Sequence, residues 1–127
     1  MPKFLISCAL VAACLAGGCK KSKKSEAAFG ETVDCAPNNK SVKTVTSANG
    51  VVGFDQAKQQ YTIMVHQPGT IDVVDIGIVC GPLPASLQAA GTKVMVSGTF
   101  KEYGPASSSA PVGYTYYYLT ITQLSPR

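Results

Sequence analysis

The chain has 127 residues, eleven Lys and Arg against seven Asp and Glu, five cysteines and a single histidine. Five of the cations (Lys3, Lys20, Lys21, Lys23, Lys24) lie near the start; from Ala27 onward six cations face six acids, so the formal charge of the remainder cancels. That leaves no basis for a phosphate-binding face and no reason to expect nucleic acid as a partner, and the length allows one domain with a modest core.

Met1-Pro2-Lys3 carries positive charge, and Phe4 to Ala16 is an uncharged, largely apolar run ending in small residues, the order of a secretory signal. The run is too short to cross a bilayer, which takes about 20 apolar residues. The stretch from Val11 to Cys19 resembles the bacterial lipobox, an aliphatic residue, two small residues and then cysteine. Val11-Ala12-Ala13-Cys14 fits the preferred residues better, whereas Ala16 stands three places before Cys19. Two wider facts favour Cys19: charge begins immediately after it, and cleavage there leaves Cys35 and Cys80 as an even pair. Residues 1–18 therefore read as a lipoprotein signal peptide and Cys19 as the lipid-modified residue, with Cys14 the alternative. Two or more acyl chains at that cysteine suffice for stable membrane anchoring. Residues 19–40 read as the lipidated cysteine, a basic tether without periodicity (Lys20 to Phe29) and an N-terminal extension. Lys20 directly after the lipid site is compatible with an outer-membrane address facing the periplasm.

An exported chain meets oxidising conditions, so Cys35 and Cys80 are expected to be joined. The bond would close a loop of about 46 residues, for which chain entropy predicts roughly 4 kcal/mol of stabilisation. A metal-ligand or redox role has neither the ligand count nor the Cys-x-x-Cys spacing.

Residues 41–127 carry the domain. Ser41 to Ser47 and Val51 to Phe54 flank Ala48-Asn49-Gly50, which predicts one bent strand or a hairpin. Gln60 to Gln67 alternates, with Tyr61, Ile63 and Val65 expected to face the core. Pro68-Gly69 turns into a strand spanning Thr70 to Cys80. From Gly81 to Gly91, proline near the start and glycine at the end predict a helix of one to two turns. Thr92 to Phe100 returns to strand with Val94, Val96 and Phe100 inward, and Lys101 to Gly113 reads as a long surface loop. Tyr114 to Leu124 is the most β-prone run in the chain, with Tyr117, Leu119 and Ile121 on its core side.

Five strands with one short helix between the third and fourth is the order of an all-β, five-stranded OB-fold-like Greek-key barrel. Asn49-Gly50-Val51-Val52-Gly53, Tyr61-Thr62-Ile63, Leu83-Pro84-x-x-Leu87 and Gly91-x-Lys93-Val94-x-Val96-Ser97-Gly98 together resemble the small OB-fold lipoproteins of Gram-negative bacteria. The resemblance spans about Ser41 to Leu124 and implies a fold and an envelope address more than an activity.

Catalysis needs a nucleophile with a base in reach. The only histidine, His66, falls on the outer face of its strand, and a hydrolase would have to use it. Asp72 and Asp75 are three apart on a strand and point to opposite faces, so a solvated or turn-capping role is expected for them. No phosphate-cradling loop or metal-binding cluster is present, and no cofactor or catalytic residue is expected. The positive signal is aromatic: Tyr114, Tyr116 and Tyr118 share the outer face of the last strand, beside Tyr103, and tyrosine combines an apolar plate with a polar tip. The expectation is a non-enzymatic, membrane-anchored interaction module for an envelope protein or glycan. The alternative is an inhibitor or protective protein that inserts the Lys101–Gly113 loop into an extracytoplasmic hydrolase.

Overall fold

The computed structural model describes residues 33–104 and 110–127. The signal peptide, Cys14, Cys19, the lysine-rich tether and the centre of the Lys101–Gly113 loop lie outside the described residues. Five strands form: β1 (Ser41–Asp55), β2 (Gln60–His66), β3 (Val74–Val79), β4 (Lys93–Glu102) and β5 (Tyr114–Pro126). They close a barrel in the order β1-β2-β3-β5-β4, in which β3 and β5 run parallel and every other pair is antiparallel. This is the OB-fold-like architecture anticipated from the order of elements.

The Asn-Gly signal in β1 marks a bend within one strand rather than a hairpin. β1 pairs with β4 over Ser41–Val51 and with β2 over Gly50–Asp55, so a single strand serves both halves of the barrel. Gly50 stands at the changeover, where a Cβ would come within 2.6 Å of Ile63 Cγ2; the crowding leaves room only for hydrogen. A register shift between Val45 and Ala48, with Ser47 at φ 48°, bends the strand further.

Alternation places the core as expected in β2, β4 and the first part of β5. Ile63, Val65, Val94, Val96, Phe100, Leu119 and Ile121 are buried together, with Tyr61 and Tyr117 packed against them. Farther along β5 the inward parity changes from odd to even, and Leu124 is buried. A register shift opposite Ser97 and Gly98 inserts one extra residue on β5 and flips the strand's faces.

Three expectations need correction. The segment Gly81–Gly91 holds a single 3₁₀ turn, Ala85–Leu87, rather than a helix of one to two turns. Pro84 is extended (ψ 138°) and Gly91 has φ 91°, and the few residues between them cannot offset the cost of nucleating an α-helix. Leu83 and Leu87 nonetheless join the core. β3 begins at Val74 and not Thr70, because the chain turns through Gly69 (φ 78°) and closes a Gln67 N–H to Val73 carbonyl bond before the ladder starts. Lys101 and Glu102 belong to β4, not to the loop after it, and Lys101 is buried.

What buries Lys101 is the N-terminal extension. Cys35 is bonded to Cys80 across a Cα separation of 5.2 Å, within the ordinary range for a disulfide. The Lys101 ammonium pairs with the Asp34 carboxylate and donates to the Ala36 carbonyl (3.2 Å), while the Asn39 side chain donates to the Glu102 carbonyl (2.8 Å). Residues from Val33 onward are thus part of the folded body rather than of the tether.

The hydrogen bond from Lys101, backed by the Ala36 N–H, holds the Asp34 carboxyl below its ordinary value of 3.8. A carboxyl lowered in the folded state stabilises it above its unfolded pKa, and that contribution is lost as the pH falls through the folded value. Acidification from about pH 4 downward is therefore expected to loosen the extension, read as a fall in amide protection at Ala36 and Asn39 relative to the intrinsic exchange rate at each pH. Asp34→Asn is expected to remove this acid-side response; an unchanged profile in that variant would show that another group controls it.

Candidate functional site

In β5, Tyr114, Tyr116 and Tyr118 point away from the core because Tyr117 and Leu119 point into it. The parallel ladder sets them beside Val74, Ile76 and Ile78 of β3, aliphatic residues that are themselves buried. Tyr103, just past the end of β4, packs edge-on to Tyr118 with ring centres 5.0 Å apart and lies tilted over Tyr116 at 6.3 Å. Tyr103, Tyr116 and Tyr118 are half-buried and Tyr114 is exposed. The four tyrosines anticipated as a binding face therefore occupy one outer side of the barrel, and three of them touch as a cluster. Among the described residues none of their hydroxyls takes part in a hydrogen bond.

A residue that sequence reading did not single out completes the face. Lys58, in the β1–β2 turn, places its ammonium 5.1 Å from the centre of the Tyr116 ring and 5.7 Å from that of Tyr103. Asp55 holds it there: the carboxylate accepts from the Lys58 backbone N–H (3.0 Å) and from its ammonium (3.1 Å). Burial pushes the Asp55 carboxyl up, but these bonds outweigh it and leave the group below its usual value; the same hydrogen bond raises Lys58. The result is an aromatic plate with a fixed positive charge, of the cation–π type. Asp55 and Lys58 at i, i+3 are legible as a turn pair, but nothing local links them to tyrosines so distant along the chain.

A second feature opens where β1 and β2 part. A cleft of about 910 Å³ is lined by Lys43, Val45, Ala48, Val65, Asp75 and Lys93, among others. Asp75 is not solvated as anticipated: it is buried inside the barrel mouth, where its carboxylate pairs with the Lys43 ammonium and accepts from the Gln67 amide at 3.2 Å. Asp72 lies in the bend before β3, not on a strand with Asp75, and is exposed. The Lys43 ammonium also stands 5.3 Å from the Tyr117 ring centre and 5.7 Å from that of Phe100. An ion pair in this setting holds its two partners in register, since an unpartnered charge there is costly.

No protein-family model matches the chain, and no curated protein does so either. Function must be argued from these two surfaces. His66 is exposed at the end of β2 on the cleft's rim, as its alternation implied, with no side-chain hydrogen bond among the described residues. Among the described residues no group of three or more His, Cys, Asp or Glu is gathered as a metal site would require, and no helix is long and apolar enough to cross a membrane.

Proposed function

We propose that this protein is a lipid-anchored envelope protein whose barrel binds an envelope protein or glycan, without catalysis, through the face formed by Tyr103, Tyr114, Tyr116 and Tyr118. The observation that carries the reading is the convergence of three of these rings, Tyr116 and Tyr118 of β5 and Tyr103 just past β4, with one fixed ammonium, Lys58, over two of them, Tyr103 and Tyr116. Such a plate suits a sugar ring or an apolar side chain with polar edges, since half-buried aromatics offer area at little entropic cost and the hydroxyls supply direction. The anchor is Cys19, supported by the signal-like first eighteen residues. The Cys35–Cys80 bond supports an oxidising compartment, and the outer membrane with the domain facing the periplasm is the proposed address. No nucleic acid partner and no cofactor enter this reading.

The test is purification of the tagged, full-length protein from detergent-solubilised membranes, beside a variant with Tyr114, Tyr116 and Tyr118 all changed to Ser. A bound protein or glycan recovered with the parent and lost from the variant, together with an N-terminal mass carrying acyl chains on Cys19, is expected. A bound set that is the same in both preparations would remove the tyrosine face from the function. An unacylated protein in the soluble cell interior would remove the anchor.

A further inference from the structure

Beyond Gly50 and Val65, their last paired residues on this side, β1 and β2 diverge. Ser41–Asn49 then pair with β4 alone, and among the described residues no backbone hydrogen bond reaches the other edge of this segment. Even the Ser47 N–H points back to β4, to the Ser97 hydroxyl at 2.8 Å. The cleft runs along that edge from Lys43 to Val51, with His66 to Thr70 forming the opposite wall. At about 3.3 Å per residue, eight residue steps along a bent strand make a groove roughly 20–25 Å long.

We propose that this groove binds an extended acidic peptide, which adds to the free edge of β1 as a further strand and sets an acidic side chain against Lys93 and Arg127 at one end. Three properties of the groove agree on that occupant. Its length matches six or seven extended residues, far more than a compact anion fills. Its net charge is positive: Lys93 and Arg127 stand at one end, while at the other Lys43 and the single acid Asp75 neutralise each other in an ion pair, with Gln67 also bonded to Asp75. Its middle mixes apolar and small polar residues, with Val45, Ala48 and Pro68 beside Thr46, Ser47 and Asn49, as suits a peptide of alternating apolar and polar side chains. An unpaired strand edge offers N–H and C=O groups at the two-residue repeat of a peptide backbone, a match that an anionic glycan lacks; this is strand addition, with main-chain bonds supplying affinity and flanking pockets specificity. The site is separate from the tyrosine face and does not depend on it.

The experiment uses the full-length protein in detergent micelles and a fluorescent, end-blocked heptapeptide Glu-Val-Thr-Val-Thr-Val-Glu, followed by anisotropy at low ionic strength. Saturable binding is expected, weakened about tenfold by the exposed-site change Lys93→Glu, since one charge pair becomes repulsive. The same peptide N-methylated on alternate amides, in the phase that would face β1, is expected to lose binding, whereas the Tyr114, Tyr116 and Tyr118 triple variant keeps it. An N-methylated peptide that binds as tightly as its parent would overturn strand addition, because charge alone would then account for the affinity. An anionic oligogalacturonate that competes with the peptide at equal affinity would overturn the choice of a peptide, and absence of saturable binding would overturn the site. Lys93 is exposed, so its replacement leaves the fold intact, and the peptide comparison requires no variant at all.

Discussion

Changing Cys35 and Cys80 together to alanine is expected to lower the unfolding free energy by about 4 kcal/mol, from the chain entropy of a loop that spans 45 positions. For a domain of this size each kcal/mol moves the melting temperature by about 4–8 °C, so the midpoint is expected to fall by roughly 15–30 °C. The bond has a local consequence as well. It joins the extension to the residue following β3, and Cys80 is 1% exposed, so its loss frees the segment that covers Lys101. Thermal unfolding followed by circular dichroism reads the first effect, and amide exchange at Ala36 reads the second. A loss below about 1 kcal/mol would show that the Asp34–Lys101 pair and packing hold the extension without covalent help, against the larger expectation for native bonds in small exported domains.

Phe100→Ala is expected to cost about 3–5 kcal/mol, the range for emptying a fully packed aromatic site. The ring is completely buried, meets Tyr117 edge-on at 5.5 Å, and lies under the Lys43 ammonium. The surroundings are built to admit it: a Cβ on Gly77 would stand 3.0 Å from Phe100 Cε1 and 2.7 Å from the Leu119 Cβ. That is why β3 carries glycine at this inward position, between Ile76 and Ile78. Removal of the ring leaves a cavity in the strands that hold the barrel shut, where collapse is limited by ladders on both sides. Phe100→Leu keeps more of the volume and is expected to cost less. Chemical denaturation distinguishes them by midpoint at constant slope. Equal costs for the two variants would place the energy in the aromatic contacts with Tyr117 and Lys43, not in the volume filled.

Much of the fold was legible because strand alternation is a local property. In Tyr61-Thr62-Ile63-Met64-Val65 alternation puts Ile63 and Val65 in the core with Tyr61 packed against them, as read, although Thr62 on the other face is buried too. The same holds for Val94, Val96 and Phe100 in β4, and for the separation of Tyr117 and Leu119 from Tyr116 and Tyr118 in β5. At Asn49-Gly50, where one bent strand and a hairpin were both open, the bent strand forms, because β4 and β2 each claim one half of β1. The reading failed where a distant partner decides the conformation. Lys101 looks like the first residue of a polar loop, until Asp34 and Ala36 come over it from far away in sequence. Asp75 looks solvated because nothing near it in the chain shows that Lys43 and Gln67 will meet it inside the barrel mouth.

The candidate sites divide in the same way. The tyrosines of β5 were visible as a row, since side chains two apart on a strand share a face whatever the strand pairs with. Tyr103 stacking on that row and Lys58 standing over it depend on closure of the barrel, which brings the β1–β2 turn beside β5. The groove along β1 was not legible at all. It exists because β1 leaves β2 at Gly50 and follows β4 instead, and a vacant strand edge is a property of what fails to pair.

By itself the sequence determined the all-β character, the number of strands, the inward residues of β2, β4 and the first part of β5, and the two sulfurs that bond, because these follow from alternation, turn residues and an even thiol count. Only the tertiary structure decided the parallel β3–β5 closure, the burial of Asp75 and Lys101, and the two surfaces on which function is proposed. The physical reason is that side-chain direction along a strand is set by its own backbone, whereas partner, edge and burial are set by residues tens of positions away.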